Sequence, residues 1–352
     1  MSLAKYAVTR ALTVVATFIF SLIAFFFLTR VIPSIAIGGN PFIPSQSLDP
    51  LFRAVVKPLD DPGYSSWVSS LITTYGLSRP LLPDQLLIFL KNSLTMDFGY
   101  SMLSMRSVSS EILMRLPYTL ALYTFAVIVP IFVGYYLAIA ASKARGRALD
   151  LFLTLSSLSS FSVPIWVFIL IIYYLLAYLP KVSWGIQIFP LPVRAPTTNI
   201  EGIQDIRYWL WYLSPLYIAS TLSLYGTWTY FFRAILASEI SEDYTITARA
   251  KGLSEWDVIR SEVVPNIRPP VLTKIAYSVP AIFGGSIALE IVSSWPGIAY
   301  YAYQAIQNND YPVMNAFFVV STLLVAVSLY ISDIAVAVLD PRVRYGIARY
   351  TR

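Results

Sequence analysis

The chain has 352 residues, 57% of them hydrophobic and 12% charged, with a mean hydropathy of +0.65. A soluble domain carries about 25% charged residues, so half that share leaves too little polar surface for a water-facing particle, and the natural solvent is a bilayer. The sequence has neither Cys nor His, which excludes disulfides, thiolate or imidazole zinc sites, thiol nucleophiles and imidazole bases.

The net charge is +6. The basic residues sit in short runs beside apolar segments and read as topology signals, not as a nucleic-acid surface. Aromatic residues, 25 Tyr and 8 Trp among them, suit the headgroup region, where one end of a ring is dry and the other wet.

Apolar stretches lie near 11–29, 116–141, 151–179, 209–232, 274–293 and 315–339. Each approaches the length of about 20 residues that crosses a hydrocarbon core. A spanning segment must satisfy its own backbone hydrogen bonds, so the expected class is all-α integral membrane, with about six transmembrane helices. Lys5 and Arg10 before the first stretch imitate a secretory signal. That stretch is too long for a signal core and ends at Thr29-Arg30-Val31-Ile32-Pro33, so it reads as a retained first helix, 1–32.

Residues 33–115 come next as an outer segment, rich in Pro, Ser and Tyr over 33–110. Connections of that length are functional or disordered. It is either a surface cap or a docking surface for something outside. The insertion 180–208, with Trp184, Pro190, Pro192 and Pro196, carries the same alternatives.

The third stretch opens on Ser156, Ser157, Ser159, Ser160 and Ser162 before Pro164. Small residues let helix backbones approach, so a helix–helix seam is expected, with a polar pore lining as the alternative.

Lys143, Arg145 and Arg147 lie just after the second stretch, and Arg342, Arg344, Arg349 and Arg352 after the sixth, while 294–314 has no Lys or Arg. The positive-inside rule then puts the N-terminus, the 142–149 and 233–273 loops and the 340–352 tail in the cytoplasm. Within the membrane, Glu290 and Asp333 each need a partner or water. For Glu290 that partner is expected among backbone groups of the Ser294–Gly297 turn, with substrate contact as the alternative. For Asp333 it is a basic residue on the cytoplasmic side.

The segment 239–266 is the most informative. It reads as two short helices. Asp243 or Ser241 caps the first, and Gly252 ends it with Lys251 in its last turn. Ser254 starts the second, with Asp257 three residues on, and Pro265 precedes the next membrane segment. Tyr244, Ile246, Ala248 and Ala250 are expected to form a small smooth face.

Asp243-Tyr244-x-x-Thr247-Ala248-Arg249-Ala250-Lys251-Gly252-Leu253-Ser254 resembles the EAA loop of permease subunits of ATP-binding cassette importers, in the form of the dipeptide/oligopeptide branch. With the motif glycine on Gly252, its last alanine falls on Ala248 and its proline on Pro265. Ile246, Thr247, Glu262 and Val264 replace the motif's glutamate, first alanine, isoleucine and leucine. Tyr75-Gly-Leu-Ser-Arg-Pro-Leu81, Phe98-Gly-Tyr-Ser101, Arg115-Leu-Pro117, Ser294-Trp-Pro-Gly297, Asn309-Asp-Tyr-Pro312 and Leu339-Asp-Pro-Arg-Val-Arg344 resemble further parts of that branch, in order. The long first outer segment resembles its B-type subunit.

The resemblance implies a type I importer (MetI-like) permease fold over 116–339, in a prokaryotic plasma membrane. It implies a second homologous permease, two ATPase subunits that bind ATP and Mg, and an extracytoplasmic substrate-binding protein. The coupling residues it implies are Asp243, Tyr244, Thr247, Ala248, Arg249, Ala250, Lys251, Gly252 and Pro265. The substrate it implies is a di- or oligopeptide, with oligosaccharide as the alternative. The chain has no phosphate-binding Gly-x-x-x-x-Gly-Lys-Ser/Thr loop, so no cofactor is expected in it and it is not expected to be an enzyme. A secondary transporter would need matched broken helices in two halves. An intramembrane enzyme would need an aspartate pair or a Ser–Lys dyad. Neither pattern is evident, and a structural scaffold is the remaining rival.

Overall fold

The computed structural model describes residues 3–43, 64–144, 146–191, 203–285 and 287–339. Among them all the regular structure is helical, as the composition requires. Helix α1 runs Leu3–Ala36, α2 Tyr64–Tyr75, α3 Leu86–Thr95, α4 Val108–Lys143, α5 Ala148–Ser162, α6 Ile165–Trp184 and α7 Ile203–Ile240. Then come α8 Asp243–Ala250; α9, which begins at Glu255–Asp257, widens over Val258–Val263 and continues as Val264–Gly285; α10 Ile287–Ser293; α11 Ile298–Gln307; and α12 Tyr311–Leu339. Leu3–Ala36, Val108–Lys143, Ile165–Trp184 and Tyr311–Val338 are long and apolar enough to cross a membrane.

Prolines account for most departures from the expected boundaries. The 151–179 stretch is two helices. Pro164 lacks an N–H and pushes the residue before it out of the helical region. Val163 is accordingly extended, at φ −95° and ψ 125°, and separates α5 from α6. At Pro33 and Pro265 the chain makes the opposite choice. The stretches Phe27–Val31 and Val258–Val263 are widened to i→i+5 turns, and the helix passes through the next proline. A widened turn frees the carbonyl that the proline cannot bond. So α1 runs on to Ala36, and the second short helix of 239–266 is the first turn of α9, continuous with the helix beyond Pro265. The expected 274–293 segment is divided between α9 and α10, with residue 286 outside the described residues.

The chain divides into two compact units. One comprises Ala4–Thr119 and Pro296–Tyr330. Phe18, Leu22 and Phe26 of α1 share a core with Phe89, Phe98, Val108, Ile298 and Val313. Phe25 stacks on Phe318, ring centroids 3.9 Å apart. The described part of the outer segment is therefore no free loop; α2 and α3 are built into this unit. Arg30 is buried and donates to Gln85 Oε1, while Gln85 Nε2 donates to the Arg79 carbonyl at 2.7 Å. Asp310 joins two motifs far apart in sequence. Its carboxylate accepts from Ser101 Oγ at 2.5 Å and from the Leu103 N–H at 3.2 Å.

The other unit comprises Met1–Leu3, Leu120–Trp295 and Ile331–Arg352. Helix α5 packs along α7 in this unit. This is the serine seam. Ser157 and Ser160 are buried in it, and Ser160 Oγ donates to the Leu222 carbonyl at 2.5 Å. Ser159 and Ser162 stay exposed. Gly226 sits so close that an added Cβ would collide with the Ser157 carbonyl and come within 2.8 Å of Ser160 Cβ. A Cβ on Gly134 of α4 would likewise meet Trp228 Cβ and come within 2.8 Å of the Thr229 nitrogen.

Candidate functional site

The segment 239–266 lies within this second unit. Neither Ser241 nor Asp243 caps α8. Glu242 stands at the N-cap without a side-chain bond, and Asp243 is the first helical residue. The carboxylate at that position still favours the positive end of the helix dipole. The far end matches the expectation from Gly252. The Gly252 N–H donates to the Arg249 carbonyl at 2.9 Å and the Leu253 N–H to the Ala248 carbonyl at 3.4 Å. This paired closure needs a left-handed residue, and Gly252 has φ +85°. Ser254 caps the start of α9, its Oγ accepting from the Asp257 N–H at 3.2 Å.

Helix α8 has a buried and an exposed side. Thr245 and Ala248 are buried, three residues apart. Ala248 joins a core with Ile139, Trp228, Phe232, Leu236, Val258 and Val263. Thr245 Oγ1 donates back to the carbonyls of Ile240, at 2.7 Å, and Glu242, at 2.8 Å. The exposed row is Asp243, Ile246, Thr247 and Ala250. The expected smooth face of Tyr244, Ile246, Ala248 and Ala250 is therefore corrected. A spacing of two residues suits one face of a strand, whereas a helix face repeats at three and four. Ile246 and Ala250 are outside, Ala248 is inside and Tyr244 is half-buried.

Polar side chains brace α8. Arg249 grips Glu255 at the start of α9, Nε to Oε1 2.7 Å and Nη2 to Oε2 3.3 Å. That bond raises the Arg249 pKa. The Tyr244 hydroxyl donates to Glu239 Oε1 at 2.9 Å. Its pKa is raised, first by burial and then by the neighbouring carboxylate. Lys143, at the end of α4, lies over the Trp256 ring at 3.9 Å. Lys251 and Gly252 are exposed, and Pro265 is half-buried in α9. Beneath these groups is a polar cavity of about 360 Å³ lined by Arg147, Asp150, Arg233, Arg249 and Glu255. The sequence reading missed these braces. The one signal available was the charge pair Arg249 and Glu255 on either side of a glycine turn.

Glu290 and Asp333 are far from this segment in sequence, and both are buried. The Ser294–Gly297 turn reaches Glu290 through the main chain, the Trp295 N–H donating to the Glu290 carbonyl at 2.9 Å. Trp295 is fully buried against Trp209 and Tyr212. Asp333 Oδ1 accepts from the Tyr277 hydroxyl at 2.8 Å.

Residues 130–345 match the family of binding-protein-dependent transport system inner membrane components. An oligopeptide transport system permease protein of Bacillus subtilis (strain 168) is 31% identical over 276 residues, 78% of this chain and 84% of that protein. A dipeptide transport system permease protein of Lactococcus lactis subsp. cremoris is 30% identical over 272 residues, covering 77% and 83%. A glutathione transport system permease protein of Escherichia coli (strain K12) is 28% identical over 271 residues, covering 77% and 82%.

Proposed function

We propose, from the premise that the chain belongs to the binding-protein-dependent transport system inner membrane components, that it is one of two permease subunits of an ATP-driven peptide importer. Members of the family are transport components, so the chemistry of ATP hydrolysis lies in partner subunits. In this reading α8 seats in a groove on an ATPase and carries its motion to the membrane helices. Two ATPases, a second permease and an external binding protein complete the complex. The chain crosses a prokaryotic plasma membrane six times with both termini in the cytoplasm, which the clusters of Lys and Arg beside α4 and α9 support. Peptide as substrate is supported by relatives named for oligopeptides, dipeptides and glutathione. None of these names points to an oligosaccharide, and that alternative is dropped.

The observation that carries the coupling role is the two-sidedness of α8. Its inner row is anchored and its outer row, Asp243, Ile246, Thr247 and Ala250, is left open. Ala250→Arg enlarges the outer row without touching the anchor. The variant is expected to reach the membrane at wild-type level and to lose co-purification with the ATPases. Normal co-purification together with normal peptide uptake would remove α8 from the interface.

A further inference from the structure

The break between α5 and α6 falls inside the apolar 151–179 stretch. Such a break is tolerated only where protein buries it or a polar cavity receives it. Val163 and Pro164 indeed line a cavity of about 480 Å³, within the range of about 300–1,000 Å³ usual for ligand clefts. All of its walls belong to the unit that contains α8. The walls are mostly apolar, with Phe161, Trp228 and Leu289 among them.

Polar groups interrupt that wall, Ser220, Ser223, Thr227, Ser278 and Lys274 among them. Ser220 and Ser278 donate to carbonyls of their own helices, Ser220 to Tyr217 at 3.0 Å and Ser278 to Ile275 at 2.7 Å. Each hydroxyl oxygen is left as an acceptor. Lys274 is the one ionisable side chain on the cavity wall apart from Tyr123. Its ammonium lies 5.9 Å from the centroid of the Phe231 ring. Among the described residues no carboxylate stands within ion-pair distance of it. Lys274 is exposed at the first residue of the 274–293 apolar stretch, so its ammonium is open to an anion that enters the cavity.

Resting on the peptide reading above, we infer that this cavity is part of the peptide's path and that Lys274 receives the peptide's terminal carboxylate. The chemistry is matched term by term. Every linear peptide has one carboxylate terminus, which an ammonium can bind. Its amide N–H groups suit the serine oxygens. Its side chains vary, and a broad apolar wall accepts them without selecting among them. The rival role for Lys274 is a plain anchor that extends its amine to the membrane surface. An anchor would be indifferent to the substrate's charge.

The test uses the complete transporter in proteoliposomes, with its ATPases and binding protein. The probes are trialanine and its C-terminal amide. Lys274→Met is expected to lower trialanine uptake about tenfold, the scale of one charge-assisted contact. It should leave assembly and binding-protein stimulation of the ATPases unchanged, and should not lower uptake of the amide. Lys274→Arg should stay near wild type. Unchanged trialanine uptake in Lys274→Met overturns the inference, as does a parallel loss of ATPase stimulation, which marks a structural role. A wild-type complex that carries neither probe overturns the peptide reading first, and this inference falls with it.

Discussion

Arg233 holds Asp150 with both arms of its guanidinium, Nε to Oδ1 2.8 Å and Nη2 to Oδ2 3.1 Å. The same Oδ2 accepts from the Gly146 N–H at 3.1 Å. One carboxylate thus ties α7, the first turn of α5 and the α4–α5 loop together beside α8. Asp150→Asn leaves the arginine without its counterion. The expected loss is about 2–3 kcal/mol, below the usual cost of breaking a buried pair because Arg233 is partly exposed. A lower melting temperature of the purified protein would register it, and Asp150→Asn with Arg233→Met should recover part of the loss. A single variant as stable as wild type would show that the pair holds nothing.

Gly226 offers a sharper steric test. The Ser157 carbonyl occupies the place of its missing Cβ, and a backbone atom yields far less easily than a side-chain tip. Gly226→Ala should cost at least about 3 kcal/mol, the upper end for overpacking. Gly226→Leu should abolish stable insertion. Gly146→Ala, in open space but at φ +75°, should cost only the backbone strain of about 1–2 kcal/mol. Equal yields of the Gly226 and Gly146 variants on membrane expression would contradict the close approach.

At Gly252 the strain is conformational. Nothing lies within 4 Å of an added Cβ, and φ is +85°. Gly252→Val should therefore cost about 1–2 kcal/mol and re-aim α8, while the membrane helices stay intact. Normal membrane level with loss of peptide uptake and of binding-protein stimulation is the expected pair of readings. Gly252→Asn, a residue that tolerates this region, should retain more of both. Wild-type transport by the valine variant would exclude the turn from coupling.

The helical class and the terminus of α8 could be read directly, because apolar length and a glycine after a helical run each have one physical meaning. The serine stripe was also legible, in part. Ser157 and Ser160 are in the seam, but nothing in the sequence said that Gly226 was the surface they meet. Helix ends at prolines were not legible. Pro164 breaks its helix, whereas Pro33 and Pro265 are absorbed by widened turns, and a proline alone does not say which. The inner face of α8 was misread because four small or apolar residues at alternate positions look continuous in sequence and are not so on a helix.

Topology can be tested without a background, since the chain has no native cysteine. Arg147 and Asn308 are both exposed. Arg147→Cys should react with an impermeant maleimide only in inverted vesicles, and Asn308→Cys only in intact cells. Reaction of both from one side would rule out the proposed orientation.

The two close glycine contacts have a mechanical meaning. Gly134 meets α7 at Trp228 and Thr229, and Gly226 meets α5 at Ser157, so three backbones touch at one level with no flexible side chain between them. Such a joint has no cushion. Side-chain rotation at that joint cannot absorb a displacement of α7 against α4 or α5. The α7 residues Ser220 and Ser223, on the cavity wall, sit within two helical turns of that joint, and Ala248 of α8 shares a core with Trp228 and Phe232. Under the coupling role proposed for α8, a push on that helix would reach the cavity wall through this joint, with few side chains on the way to absorb it.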